Sequence, residues 1–208
     1  SMVFSAGCTG GSSTTGDAKK VRVAFVSNNA FEFWTYARRG TEKAAAELGV
    51  ECEFKMPSLG TAEEQRQIVD DLLAKSIQGL AISVNDAENQ AVYFDEIARR
   101  IPLITQDSDL PPGSKRQCYI GTNNYEAGRS AGKLVKEAMP DGGKVLVFVG
   151  RLDVKNAQER RQGVLDELAG TKNATGPQLG KYELLGTKTD EAKQDVCKAN
   201  AEDELAKY

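Results

Sequence analysis

The sequence predicts an α/β fold of two lobes, each a parallel sheet flanked by helices, with the second lobe incomplete. Short apolar runs alternate with helical patterns from residue 21 to residue 207. The runs are apolar throughout rather than alternating in and out, as in parallel strands buried on both faces. The alternation is interrupted by GTNN at 121–124 and then restarts, which divides the chain into an N-terminal lobe, 21–123, and a partial C-terminal lobe, 124–208.

The elements follow in order. VRVAFV (21–26) is the first strand, and residues 35–48 carry Ala37, Thr41, Ala44 and Leu48 at helical spacing before Gly49. Residues 50–55 form the second strand. TAEE (61–64) has capping-box spacing and opens a helix that turns Ile68, Val69, Leu72 and Leu73 inward. A strand at 79–84 leads to Asp86, which caps a helix bearing Ala87, Ala91, Phe94 and Ala98. Strands at 102–106 and 118–120 close the first lobe. The second lobe has a helix at 125–139, a strand at 144–149, a helix at 156–168, a strand at 181–185 and a last helix at 190–207.

Composition narrows the function. At 208 residues, 40% hydrophobic and 27% charged, the chain has the makings of an ordinary globular core. A net charge of -3 argues against a nucleic-acid partner, which would need a basic surface. The chain has no histidine, so the commonest general base, the Ser-His-Asp arrangement and most zinc sites are missing. The four cysteines, Cys8, Cys52, Cys118 and Cys197, include no CxxC pair, and the last three read as separate buried thiols. No cofactor motif, metal-ligand spacing or catalytic pair stands out, and a non-enzymatic protein is expected. GRSAGKL (128–134) is one residue short of a phosphate loop and sits inside a helical pattern, where packing accounts for it better.

Residues 1–20 read as a leader and flexible tether, GGSSTTG at 10–16 following FSAGC at 4–8. The second of these is similar to the end of a bacterial lipoprotein signal, with Cys8 as the lipidated residue. That likeness implies an exported protein held at a membrane surface by lipid; the alternative is a chance cysteine in a tail.

The chemistry gathers after the strands. The first strand is followed by Asn28, Asn29, Phe31, Phe33 and Trp34, the third by Asn85 and Asp86, and the fourth by Asp107 and Asp109. The strand ending at Val149 leads to Arg151, Asp153, Asn156 and Arg160. In a parallel sheet these loops share one rim, the ligand rim of open α/β folds. Carboxylates, amides and an arginine around aromatic rings suit a sugar, which has hydroxyl edges and C–H faces. Asp86 reads better as a helix cap and Asp109 as a turn residue before Pro111, whereas Trp34, which core packing could also explain, reads as a site residue beside Phe33 and the two asparagines.

Five segments in order, VAFVSNNAFEFW, GLAISVNDAENQAV, IPLITQDSD, YIGTNNYEAGRSAGKLV and KVLVFVGRLDVKNAQERRQGV, resemble the periplasmic sugar-binding proteins of the ribose-binding type. These are the solute-binding subunits of bacterial ABC importers and have the type I periplasmic binding fold. The resemblance implies a monosaccharide or similar polyol bound between the lobes and a partner ABC permease in the inner membrane. It implies ligand contacts from Phe33 and Trp34 by stacking, from Asp107 and Arg160, and from Asn29 and Asn85. Phe31 and Glu32 are extra residues against the family pattern, and Ala30 replaces its usual proline. Family members continue through further strand–helix units, so the chain is expected to be truncated, with open sheet edges that invite self-association. Two other readings share the fold: a sensor presenting its liganded form to a membrane receptor, and a truncated paralogue that binds nothing.

Overall fold

The computed structural model describes residues 20–191 and 193–208. Cys8 and the expected lipoprotein-like leader lie outside the described residues.

Sheet A holds β1 (Arg22–Val26), β2 (Glu51–Lys55), β3 (Gly79–Ile82), β4 (Leu103–Gln106) and β5 (Tyr119–Ile120), all parallel, in the order β2-β1-β3-β4-β5. The helices α1 (Phe33–Leu48), α2 (Ala62–Ala74) and α3 (Ala87–Ala98) connect its first four strands. The core lies where α2 and α3 meet the sheet, with Val26, Val69, Leu72, Ile82, Phe94 and Leu103 essentially sealed from solvent. Both cap predictions hold: the Thr61 side chain accepts from the Glu64 N–H and Asp86 from the Asn89 N–H.

Sheet B has the order β6-β8-β7, from β6 (Gly143–Val149), β7 (Gln178–Leu179) and β8 (Tyr182–Thr189). The β6–β8 pair is parallel, as expected, but β7 is antiparallel to β8. This strand is absent from the sequence reading because two residues carry no period; it exists because Gly180, at φ 63°, turns the chain back. β8 also runs to Thr189, past the expected end at 185, because residues 186–189 continue the ladder along β6. The last helix, α6 (Gln194–Lys207), therefore starts later than 190.

The helices α4 (Asn124–Ala138) and α5 (Lys155–Ala169) pack together through glycines. A Cβ on Gly128 would lie 2.0 Å from the Arg160 carbonyl oxygen, and one on Gly163 would lie 2.1 Å from that of Tyr125. GRSAGKL is therefore a helix-packing sequence, with Gly128 and Gly132 both facing α5. Cys52 and Cys197 are half-buried and Cys118 is exposed, all three as free thiols, so the expected burial is not met. Cys118 stands at the sheet edge, one residue before β5, where no strand covers it.

Candidate functional site

The order β2-β1-β3 places the chain's change of direction between β1 and β3, and it is at such a switch point that the strand ends part to form a crevice. Three loops converge there. The loop after β1 brings Asn28, that after β3 brings Ser83, and that after β4 brings Asp107. The Asn28 side chain donates to Asp107 Oδ2 at 3.3 Å and the Ser83 hydroxyl donates to the same oxygen at 2.8 Å.

Asp107 is held in an uncommon backbone conformation, φ 59°. Its N–H donates to the Ile120 carbonyl and its carbonyl accepts from the Tyr119 hydroxyl at 2.7 Å. The Tyr119 ring in turn lies over Gly121, where a Cβ would meet the phenol oxygen at 2.2 Å. The Asp107 backbone is thus tied to the segment that crosses between the lobes. Burial raises the Asp107 pKa above its ordinary value, against the opposing pull of the Ser83 hydroxyl, the Arg160 charge and the side chains of Asn156 and Asn28. Arg160 and Asn156 belong to α5, so both lobes meet around this one group. Asp109, by contrast, is spent on structure: it accepts from the Leu110 N–H and pairs with Arg116.

A cleft of about 340 Å³ adjoins this cluster, a size typical of small-ligand sites. The first lobe lines it with Asn28, Asn29, Ala30, Phe31, Ser58, Leu59, Gly60 and Asn85, and the second with Arg151, Val154, Glu191 and Lys193. The Asn85 side-chain nitrogen is buried there without a hydrogen-bond partner. Glu64 fixes the floor loop by accepting from the N–H groups of Ser58, Leu59 and Gly60. Among the described residues no group of His, Cys, Asp and Glu side chains is placed to hold a metal ion. A second hollow, about 310 Å³ between α1 and sheet A, is apolar apart from Thr41 and offers a polyol no partners.

The structure therefore brings together Asn29 and Asn85 on the cleft wall, and Asp107 and Arg160 beside it. Trp34 stands behind Asn28, and Phe33 packs against Trp34. Phe33, the first residue of α1, is 64% exposed, and Trp34 is 3% exposed. The indole N–H of Trp34 donates to Asn28 Oδ1 at 3.2 Å. Sequence reasoning missed Ser83, Tyr119 and Gln65. Gln65 is fully buried; its amide donates to the carbonyls of Ser27 and Ser83 and accepts from the Asn85 N–H. It clamps the ends of β1 and β3 together. Its signal was present: Gln65 shares a helical face with Ile68, Val69 and Leu72, a polar residue in an apolar stripe.

Two α/β lobes meeting at a polar cleft over a sheet's switch point define a small-ligand-binding scaffold. The chain belongs to the periplasmic binding protein domain family, which matches residues 23–208. It is 26% identical over 146 residues to the D-allose-binding periplasmic protein of Escherichia coli (strain K12), across 64% of this chain and 46% of that protein. It thus spans about half the length of this curated relative. An ABC transporter solute-binding protein from Burkholderia graminis, solved with D-arabinose, superposes with a TM-score of 0.81 at 28% identity, over 91% of this chain and 63% of that one. GanP, a glucose-galactose binding protein from Geobacillus stearothermophilus, superposes at 0.77 and 24% identity, over 91% and 65%, which shows a shared fold. The family is one of binding proteins, in keeping with the expectation of a non-enzymatic role.

Proposed function

We propose that the protein captures a monosaccharide or similar polyol between its lobes as the solute-binding component of a bacterial ABC sugar importer. The observation that carries this reading is the single carboxylate, Asp107, bonded by Asn28 and Ser83 from one lobe and facing Asn156 and the Arg160 charge from the other. A sugar hydroxyl entering this cluster donates to the carboxylate and accepts from the guanidinium, so binding favours the closed pair of lobes. Asn29 and Asn85 add amide contacts from the wall, and the Trp34 indole N–H holds Asn28 in the loop that carries Asn29. The partner is a membrane permease and the place of action the periplasm. Attachment by lipid at Cys8 belongs to the same proposal.

A thermal-shift screen against pentoses, hexoses and polyols, D-arabinose and D-allose among them, tests it. One sugar is expected to raise the melting temperature of the wild type and to leave Asp107→Ala unmoved. A cooperative melt that no sugar shifts would overturn the reading.

A further inference from the structure

The capping-box sequence TAEE at 61–64 does more than start α2. Half of the box is present: the Thr61 hydroxyl oxygen accepts from the Glu64 N–H at 3.2 Å. In the usual box the acid reaches back to the N-cap N–H. Here the Glu64 carboxylate reaches further, into the residues before Thr61. Its Oε1 accepts from the N–H and the hydroxyl of Ser58, both at 2.8 Å. Its Oε2 accepts from the N–H of Leu59 at 2.7 Å and from that of Gly60 at 3.2 Å. Successive N–H groups turned toward one point form an anion-binding concavity, and the carboxylate fills it. Burial pushes the Glu64 pKa up, but these bonds outweigh it and hold the group below its ordinary value, so it is charged at neutral pH.

The loop held in this way backs the asparagines of the cleft. Gly60, at φ 63°, lies so close to them that a Cβ would sit 3.3 Å from the Asn28 carbonyl oxygen and 3.5 Å from the Asn29 Cβ. The Asn28 side chain is in turn the link to the buried carboxylate. Its oxygen accepts from the Asn29 amide at 2.7 Å and from the Trp34 indole, and its nitrogen donates to Asp107.

We propose that Glu64 is a positioning residue for the cleft: by anchoring residues 58–60 it sets the place of Asn28, and through Asn28 that of the Asp107 carboxylate. The proposal rests on the reading of the cleft as a sugar site. Glu64 acts through the loop and makes no contact with the ligand itself.

The test combines calorimetric titration, with the sugar giving the largest thermal shift, and Trp34 emission without sugar. It compares the wild type with Glu64→Ala, Glu64→Gln, Gly60→Ala and Glu63→Ala, each shown by its melt to be folded. Trp34 is the only tryptophan, and its N–H on Asn28 makes its emission a report on that residue. Glu63→Ala removes the same charge from the first turn of α2 and controls for the favourable effect of an acid at a helix N-terminus. Glu64→Ala is expected to shift the emission and to weaken binding about tenfold, the worth of one well-placed hydrogen bond. Gly60→Ala, which crowds Asn28 and leaves Glu64 in place, is expected to do both as well. Glu64→Gln keeps one acceptor oxygen and is expected to fall between Glu64→Ala and the wild type. Glu63→Ala is expected to leave binding and emission unchanged. Wild-type affinity in Glu64→Ala, or equal weakening in Glu63→Ala, overturns the role of Glu64 and leaves the sugar reading standing. Weakened binding with an unmoved emission overturns the route through Asn28. A wild type that binds no sugar overturns the sugar reading and this proposal with it.

Discussion

Asp107 combines a function with a cost. A carboxyl whose folded pKa lies above its unfolded value detracts from stability while it is charged; the loss shrinks as pH falls through the folded pKa and is gone below the unfolded one. Asp107 is such a group, raised by burial. Asp107→Asn is therefore expected to melt at the wild-type temperature or above it at neutral pH, and to bind sugar roughly 10- to 100-fold more weakly, as loss of a charged hydrogen bond implies. Sugar affinity of the wild type is expected to fall on acidification, as pH falls through the raised Asp107 pKa. Gln65 is the opposite case, a residue with no ligand contact that holds two strand ends. Gln65→Leu strands the Ser27 and Ser83 carbonyls and the Asn85 N–H, at a cost of about 1–3 kcal/mol for each group left unpaired. Urea unfolding reads that loss. Asp107, Arg160, Asn29 and Asn85 were legible as strand-end polar residues. Which aromatic is buried was not, because Phe31, Phe33 and Trp34 differ in packing rather than in type.

Helix α5 depends on α4 for its place. Because a Cβ at Gly128 would collide with the Arg160 backbone, Gly128→Ala must push the helices apart and move Arg160 with them. The expected cost is about 1–3 kcal/mol for an overpacked contact, with weakened sugar binding. Melting and calorimetry on one sample check both. At the other end of α5, Asp166 is buried, which raises its pKa, but the N–H groups of Ala174 and Asn173, the Tyr125 hydroxyl and Gln162 outweigh this and hold it below the usual range. Its contribution to stability is present above the unfolded pKa and is lost as pH falls through the folded one. Asp166→Asn is expected to flatten the acid limb of the stability curve, measured by melts across pH. The strand–helix alternation and both caps could be read from sequence because each is a local pattern. β7 and the tail of β8 could not, since pairing with a partner strand decides them.

The described residues form two sheets, with β6 at the edge of sheet B. Its apolar sequence GKVLVFV presents an unpaired row of backbone groups, which favours pairing with another copy. Sedimentation velocity is expected to show association that grows with concentration, and a monomer throughout would contradict this. The presence of two α/β lobes was legible in the strand–helix alternation; the approach of Asp107 and Arg160 was legible only through the family resemblance, because nothing local fixes how lobes approach. That meeting is the centre of the account. Its most direct test is a double-mutant cycle, calorimetry of the wild type, Asp107→Ala, Arg160→Ala and the double variant with the sugar found by screening. The account predicts that each single change removes most of the binding and that the double variant is little worse than either. Single variants that bind as the wild type does would contradict it.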